Sequence, residues 1–393
     1  MRWKNKGHEF DMLGKRLEEE YKKRNQICIF GAGILGKWLN TFLRKYKCVK
    51  CFIDNDINKQ EKIYEGKEVI SFVEYLERDG KSWIVIAADK KNIPIIREQL
   101  EKEKLILDYD FFELEKFIKE IFPIVSVYCL NKTYIELAQI CLTERCTLKC
   151  KKCAHACYAV DKNAQDLTLE QVFESADVFF EKVDWILEFV LMGGEPFLYK
   201  DLDKVIEYIG NNYRDQMMIY SITTNGTIKP SQQILNLCRK YKCMFRISNY
   251  SYQIPRLEEK YEQLIEILKK NQIEYSINPP EHEWMDYGFE YVENGGKKEE
   301  LIKIFDACRT PCREIRENRF YYCVMARSVS DNLNYKIGED DFLDMNGLDD
   351  DYKKVLLEFT SGYSDKGYLD MCNHCHGADS KKYLIPVAEQ INE

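Results

Sequence analysis

Cys146, Cys150 and Cys153 stand at C-x3-C-x2-C spacing on one short segment that directly follows a strand predicted over 134–142. Three thiolates on one loop can hold three irons of a 4Fe-4S cube and leave the fourth iron with an open position. A structural zinc site wants four ligands, usually as C-x2-C pairs, and explains a triplet poorly. Cysteine is abundant throughout, at 16 of 393 residues. The first 24 residues are charged and lack the apolar run of a secretion signal, so a cytoplasmic location is expected. Reducing conditions there disfavour structural disulfides, and clustered thiols serve as metal ligands or catalytic groups.

Charge narrows the partners. The 66 acidic residues outnumber the 58 basic ones, giving a net charge of -8, and no Lys/Arg-rich stretch is free of acids. A surface that tracks nucleic-acid phosphates is therefore not expected, whereas small anionic ligands remain allowed. No apolar run approaches the roughly 18 residues of a membrane helix.

The length of 393 residues suits two or three domains. Over 1–125, a helical lead-in precedes an apolar run at 26–30, then Gly31-Ala32-Gly33-Ile34-Leu35-Gly36 opening an amphipathic helix to residue 46. Further strands are expected at 49–53 and 83–88 and a helix at 92–104, which together make a small parallel α/β sheet of Rossmann-like type. Over 126–300, strands at 134–142, 186–192, 217–224, 244–248 and 273–277 alternate with helices at 169–183, 202–213, 232–241 and 257–270. That alternation predicts a partial α/β barrel whose ligands gather at the C-terminal strand ends. The stretch 301–393 holds five cysteines, few periodic helices and a Gly/Asp-rich middle, as a small metal-stapled α+β domain would.

A second motif, Gly193-Gly194-Glu195-Pro196, closes the strand at 186–192, and Thr223-Thr224-Asn225-Gly226 closes the next. With the cysteine triplet ahead of them, these motifs make the chain resemble the radical S-adenosylmethionine superfamily over about 110 residues. The resemblance implies a partial (β/α)6-type barrel, with Cys146, Cys150 and Cys153 holding a catalytic 4Fe-4S cluster whose open iron chelates S-adenosylmethionine. It places the methionine moiety at Gly193, Gly194, Glu195 and Pro196, with Glu195 accepting from the ammonium, and adds Thr224 and Asn225. Ser248 and Asn249, ending the following strand, stand where the family often contacts the ribose. The sequence departs from the family at Lys152, where an aromatic or bulky residue is usual, so that position does not supply the adenine-side packing. His155 and Cys157 read as loop and packing residues.

The remaining thiols, Cys308, Cys312, Cys323, Cys372 and Cys375, resemble the twitch or SPASM-type extensions of radical enzymes, which hold an auxiliary 4Fe-4S cluster. Cys308, Cys323, Cys372 and Cys375 fit as C-x14-C-x48-C-x2-C. Cys312 is left as a substitute ligand for Cys308, a nearby hydrogen donor or a packing residue, and zinc on the same thiols is the rival occupant.

In the N-terminal domain, Gly31, Gly33 and Gly36 after a strand form a dinucleotide-type turn, and Asp54 follows Gly36 by 18 residues, where an acid can bond ribose hydroxyls. The stretch 27–100 resembles the nucleotide-sugar-binding domain of bacterial sugar acetyltransferases, which favours a nucleotide-linked ligand over NAD.

The expected function is a radical enzyme that oxidises, epimerises or dehydrates a sugar or nucleotide-linked sugar, fed by an external electron donor such as flavodoxin or ferredoxin. A peptide-maturing radical enzyme and a non-catalytic iron-sulfur protein are the alternatives.

Overall fold

The run Ile27–Phe30 (β1) is apolar at every position, which suits a strand covered on both faces, and all four of its residues are buried. The computed structural model describes residues 8–24, 26–78, 80–308, 310–364 and 366–391. The outermost residues of the expected first and last domains, 1–7 and 392–393, lie outside the described residues. The chain divides into two compact units, one spanning Glu9–Tyr134 and the other comprising Ile135–Glu393 together with Met1–His8.

In the smaller unit, Val49–Ile53 (β2), Lys62–Tyr64 (β3), Lys67–Ile70 (β4), Trp83–Ile86 (β5) and Phe111–Glu113 (β6) join β1 in one sheet, ordered β3-β4-β2-β1-β5-β6. All pairings are parallel except the β3–β4 hairpin. Taken in chain order, the parallel strands run 3-2-1-4-5, the order of a doubly wound sheet, with its switch point between β1 and β5. Periodicity does not reveal the β3–β4 hairpin because β3 is short and mostly solvent-facing.

In the larger unit, Tyr134–Cys141 (β7), Trp185–Met192 (β8), Met217–Thr224 (β9), Cys243–Ile247 (β10) and Tyr275–Ile277 (β11) lie side by side in chain order. β8, β9, β10 and β11 are parallel. Helices Leu169–Lys182, Leu202–Tyr213, Gln232–Tyr241 and Glu258–Lys270 alternate with these strands. The first begins at a capping box in which Thr168 and Gln171 satisfy each other's backbone N–H, and it buries Val172, Ala176, Phe179 and Phe180 on one stripe.

Five strands of a (β/α)6-type arrangement are thus in place among the described residues, and the sheet grows at its other edge. Arg313–Arg316 (β13) adds parallel to β7, and Arg319–Tyr321 (β14) and Phe342–Asp344 (β15) follow antiparallel. Glu283–Met285 (β12) and Leu384–Pro386 (β16) form a separate antiparallel pair. The stretch 301–391 also contains helices Lys298–Ala307, Val324–Leu333 and Tyr352–Thr360, more regular structure than its composition suggested.

Candidate active site

The triplet loop leaves β7 and wraps the C-terminal ends of β8, β9 and β10. Cys146, Cys150 and Cys153 line a cavity of about 310 Å³ together with Gly193, Gly194, Thr224, Asn225 and Ser248. The Cys157 thiol and the neighbouring backbone N–H groups hold the Cys153 thiol below its ordinary pKa, against burial. Ala156, at φ 51°, makes a left-handed turn and donates its N–H to the carbonyl oxygen of Cys153 at 2.8 Å. The Cys146 sulfur accepts from the side-chain amide of Asn225 and the N–H of Leu148, each at 3.5 Å. Cys150 accepts from Gln390 Nε2 at 3.2 Å.

Close approach requires both glycines of the turn. A Cβ on Gly193 would meet the Thr143 carbonyl oxygen at 2.3 Å, and one on Gly194 the Arg145 carbonyl oxygen at 2.3 Å. The turn is therefore stapled to the cysteine loop by Gly194 N donating to Thr143 O and Glu195 N to Arg145 O, at 2.8 and 2.9 Å. Glu195 is fully buried. Its carboxylate accepts from Thr224 Oγ1 at 2.8 Å, from the N–H of Asn225 at 2.8 Å and from the N–H of Phe197 at 3.2 Å. Burial pushes its pKa up to about 7 against those bonds. Gly193, Gly194, Thr224, Asn225 and Ser248 reach the cavity wall, whereas Glu195, Pro196 and Asn249 do not. Glu195, expected to meet a ligand ammonium, instead ties the β8 turn to the β9 turn.

Lys152 pairs with Glu290 and lies 4.7 Å from the Tyr291 ring centroid, fastening the loop to the segment after β12. Aromatic lining comes instead from Tyr250, Trp284 and Tyr287.

A larger cavity, about 800 Å³, occupies the barrel interior. The inward residues Leu137 and Gln139 of β7, Glu188, Val190 and Met192 of β8, Thr223 of β9 and Arg246 of β10 line one side. Cys308, Cys312, Cys323, Cys372 and Cys375 line the other. His155, Met192, Thr223 and Tyr287 belong to both cavities, so the two adjoin. Burial raises the Cys372 thiol, and the neighbouring thiols of Cys375, Cys323 and Cys308 add to the shift. Cys323 is likewise raised by burial and then by Cys308, with Cys375 and Cys312 contributing. Burial pushes Cys375 up to about 12, and Cys308 adds to it. Cys308 is thus within electrostatic reach of the other three, and burial raises the Cys312 thiol, with Glu188 and Cys308 adding to the shift. Among the described residues no group of three or more His, Cys, Asp or Glu is gathered tightly enough for a single metal ion. Both thiol sets border cavities, as a multi-iron cluster lying between its ligands requires.

Residues 140–280 match the Radical SAM superfamily. The match starts in β7 and ends just beyond β11, so it takes in the triplet and both turns. Over 93 residues, 24% of this chain and 27% of the relative, the chain is 31% identical to a GTP 3′,8-cyclase of Erythrobacter litoralis. It spans less than a third of the length of the curated relatives it matches. Among solved structures it is similar to BtrN in complex with AdoMet and 2-DOIA, at TM-score 0.39 and 14% identity over 65% of this chain and 100% of that one. It is also similar to Streptococcus suis SuiB bound to precursor peptide SuiA, at TM-score 0.31 and 16% identity over 55% and 48%.

Two features supporting the radical SAM domain carry no motif and escaped sequence reasoning. Residues 389–391 run beside the triplet loop, where Lys151 N donates to Glu389 O and Ile391 N to Lys149 O. Arg327, 1% exposed, donates to Glu314 and to Glu144, the residue two before Cys146. Glu144 is held below the usual carboxylate range by Arg327 and Arg316 despite its burial.

The smaller unit has its own cavity of about 350 Å³ at the switch point between β1 and β5, lined by Gly31, Gly33, Asp54, Asn55, Lys59 and Asn92 among others. Gly36 packs under the turn, where a Cβ would strike Gly31 O at 1.9 Å, while a Cβ on Gly33 meets nothing within 4 Å. Asp54 reaches the wall, but its carboxylate already accepts from Ala32 N at 2.8 Å, Asp56 N at 2.9 Å and Lys59 Nζ at 3.1 Å. No described helix is long and apolar enough to cross a membrane.

Proposed function

We propose that the protein is a radical S-adenosylmethionine enzyme with two 4Fe-4S clusters, acting on a sugar or nucleotide-linked sugar. The carrying observation is the barrel cavity itself, which adjoins the triplet on one side and is walled by the second thiol set on the other. The donor set fits the first cluster: Cys146, Cys150 and Cys153 line one cavity wall, with the Cys157 thiol hydrogen-bonded to Cys153, beside a glycine turn whose backbone is bare of Cβ atoms. Bound there, the cluster would supply the electron that cleaves S-adenosylmethionine to a 5′-deoxyadenosyl radical.

The chain's own residues bind and orient. Gly193 and Gly194 present backbone to the methionine moiety, Thr224 and Asn225 form the adjoining wall, and Ser248 stands on the ribose side. Cys308, Cys323, Cys372 and Cys375 are the ligand set for the second cluster, with Cys312 beside it facing Glu188. Met192, Val190 and Phe289 keep the cavity dry. The net outcome is oxidation, epimerisation or dehydration. An external flavodoxin or ferredoxin provides electrons, and the cavity of the smaller unit takes a nucleotide-linked ligand.

Anaerobically reconstituted protein should carry about eight irons, and the C146A/C150A/C153A variant about four, still absorbing as a 4Fe-4S centre. Reduced enzyme should release 5′-deoxyadenosine, most in the presence of a cyclitol or nucleotide sugar. Release that responds only to peptides moves the assignment to a peptide-modifying enzyme, and no release with intact clusters makes it a binding protein. Stoichiometric zinc in place of the second four irons ends the two-cluster reading.

A further inference from the structure

The barrel cavity is apolar over most of its wall, with Leu137, Val190, Met192, Phe289 and Met371 among its residues, yet it contains a charged pair. Three neighbouring strands each contribute one inward residue: Glu188 from β8, Ser221 from β9 and Arg246 from β10. Arg246 donates through Nε to one carboxylate oxygen of Glu188 and through Nη2 to the other. Ser221 donates to Glu188 Oε1 at 2.6 Å. The carboxylate is thereby fixed in plane and the guanidinium fixed against it.

A pair serving only to brace the barrel would bury both members. Here the Glu188 side chain is 8% exposed and that of Arg246 is 42% exposed. Among the described residues, Arg246 Nη1 has no protein partner, and its N–H groups face the cavity. Glu188 Oε2 accepts only from Arg246 and keeps a free lone pair. Side by side, the pair thus offers an acceptor on a carboxylate and donors on a guanidinium, with no net charge of its own. A lone carboxylate or phosphate meets a cation already neutralised, and a peptide side chain of apolar type leaves both groups unpaired. Adjacent hydroxyls satisfy both, one donating to Glu188 and the other accepting from Arg246.

We infer that Glu188 and Arg246, braced by Ser221, form the substrate handle of the barrel and that the handle grips a vicinal diol. The inference rests on the reading of the protein as a radical enzyme and names its substrate class from within the chain.

The test uses the reconstituted holoenzyme with S-adenosylmethionine. Calorimetry compares myo-inositol and UDP-glucose, which bear vicinal hydroxyls, with tricarballylate, which bears carboxylates only, and KM is followed by stimulated 5′-deoxyadenosine release. A hydroxyl probe should bind, and E188Q and R246K should each weaken it about tenfold or more, as loss of one charged hydrogen bond implies. The effect should fall on KM more than on kcat. S221A, which leaves both gripping groups present, should weaken binding less and serves as the third variant if either of the others does not fold. Binding of tricarballylate but of neither hydroxyl probe overturns the assignment, as does equal binding by wild type and all three variants. Wild-type holoenzyme that binds a hydroxyl probe through these residues but never releases 5′-deoxyadenosine overturns the radical reading while leaving the handle in place.

Discussion

The side-chain amide of Asn225 donates to the sulfur of Cys146 across 3.5 Å. The same residue donates its backbone N–H to Glu195 at 2.8 Å, so the end of β9 joins the thiol loop to the glycine turn. Hydrogen bonds to cluster sulfurs raise reduction potentials, and such supporting contacts typically govern 10- to 100-fold in affinity or activity. Asn225→Ala should lower the potential of the first cluster and cut 5′-deoxyadenosine release about tenfold, with iron content near wild type. Redox titration followed by electron paramagnetic resonance checks it, and an unchanged potential counts against the contact.

Glu195 is a positioning residue. Replacing it with Ala strands the Thr224 hydroxyl and the N–H groups of Asn225 and Phe197 in a buried site, at a cost of about 2–4 kcal/mol. Glu195→Gln keeps an acceptor oxygen and should lose less. Both variants should retain iron, while KM for S-adenosylmethionine rises more in the alanine variant. Equal KM values in the two would contradict the role.

Arg327 is the only cation fully enclosed between Glu314 and Glu144 among the described residues. Removing one member of a buried ion network leaves uncompensated charge, which costs about 3–5 kcal/mol. Arg327→Ala should therefore lower the urea midpoint strongly and loosen the thiol loop, because Glu144 sits two residues before Cys146. Amide hydrogen exchange should quicken over 144–153. A variant with normal exchange there would show the network to be local to β13.

A pH dependence follows from Asp341. The residue is 2% exposed and accepts from the N–H of Asp370, at the start of the turn bearing Cys372. Burial raises its pKa from 3.8 to about 7, opposed by Lys366. Between those values the folded state holds a proton that the unfolded state has lost. Its contribution to stability is therefore greatest below pH 4 and is lost as pH rises through 7, to a total on the order of 2–4 kcal/mol. Thermal melts of wild type should fall across pH 5–8 relative to Asp341→Asn, which cannot ionise. Parallel curves for the two proteins would refute it.

In the smaller unit, Gly33 faces open space, so a larger side chain there fills the cavity without disturbing the turn. Gly33→Phe should abolish the calorimetric UDP-sugar binding that remains in the E188Q variant, where the barrel contribution is weakened, and leave the melting temperature within a few degrees of the parent. Asp54→Ala should unfold the turn as well as weaken binding, because Asp54 holds Ala32 and Asp56 in place. Undiminished binding by the Gly33 variant would move the nucleotide elsewhere.

The strands of the barrel and the order of its motifs were legible because the strands are largely apolar, mostly buried runs set between amphipathic helices, and each motif sits at a strand end. The triplet was legible from its spacing and the second thiol set from its resemblance to twitch-type extensions, and the residues of each set line a cavity. What spacing does not carry is direction. Glu195 lies one residue past Gly194, yet its carboxylate turns away from the cavity toward Thr224, and Asp54 spends its oxygens on its own turn. Glu188, Ser221 and Arg246 were invisible for the opposite reason. They are far apart in sequence, fall within ordinary strands, and become one group only when β8, β9 and β10 align. Gln390 has no neighbours of its own to mark it.

The place of β13 has a kinetic meaning. Arg316 bonds to the Cys141 carbonyl, 175 positions earlier in the chain, and among the described residues the outer edge of β7 gains its partner only from that distant segment. Such pairing closes a very long loop and is slow to form. Until it does, β7 presents a bare ladder of amides that other copies of the chain can join. Refolding yield should then depend steeply on protein concentration, because the late-arriving β13 is what covers the open edge of the nascent barrel.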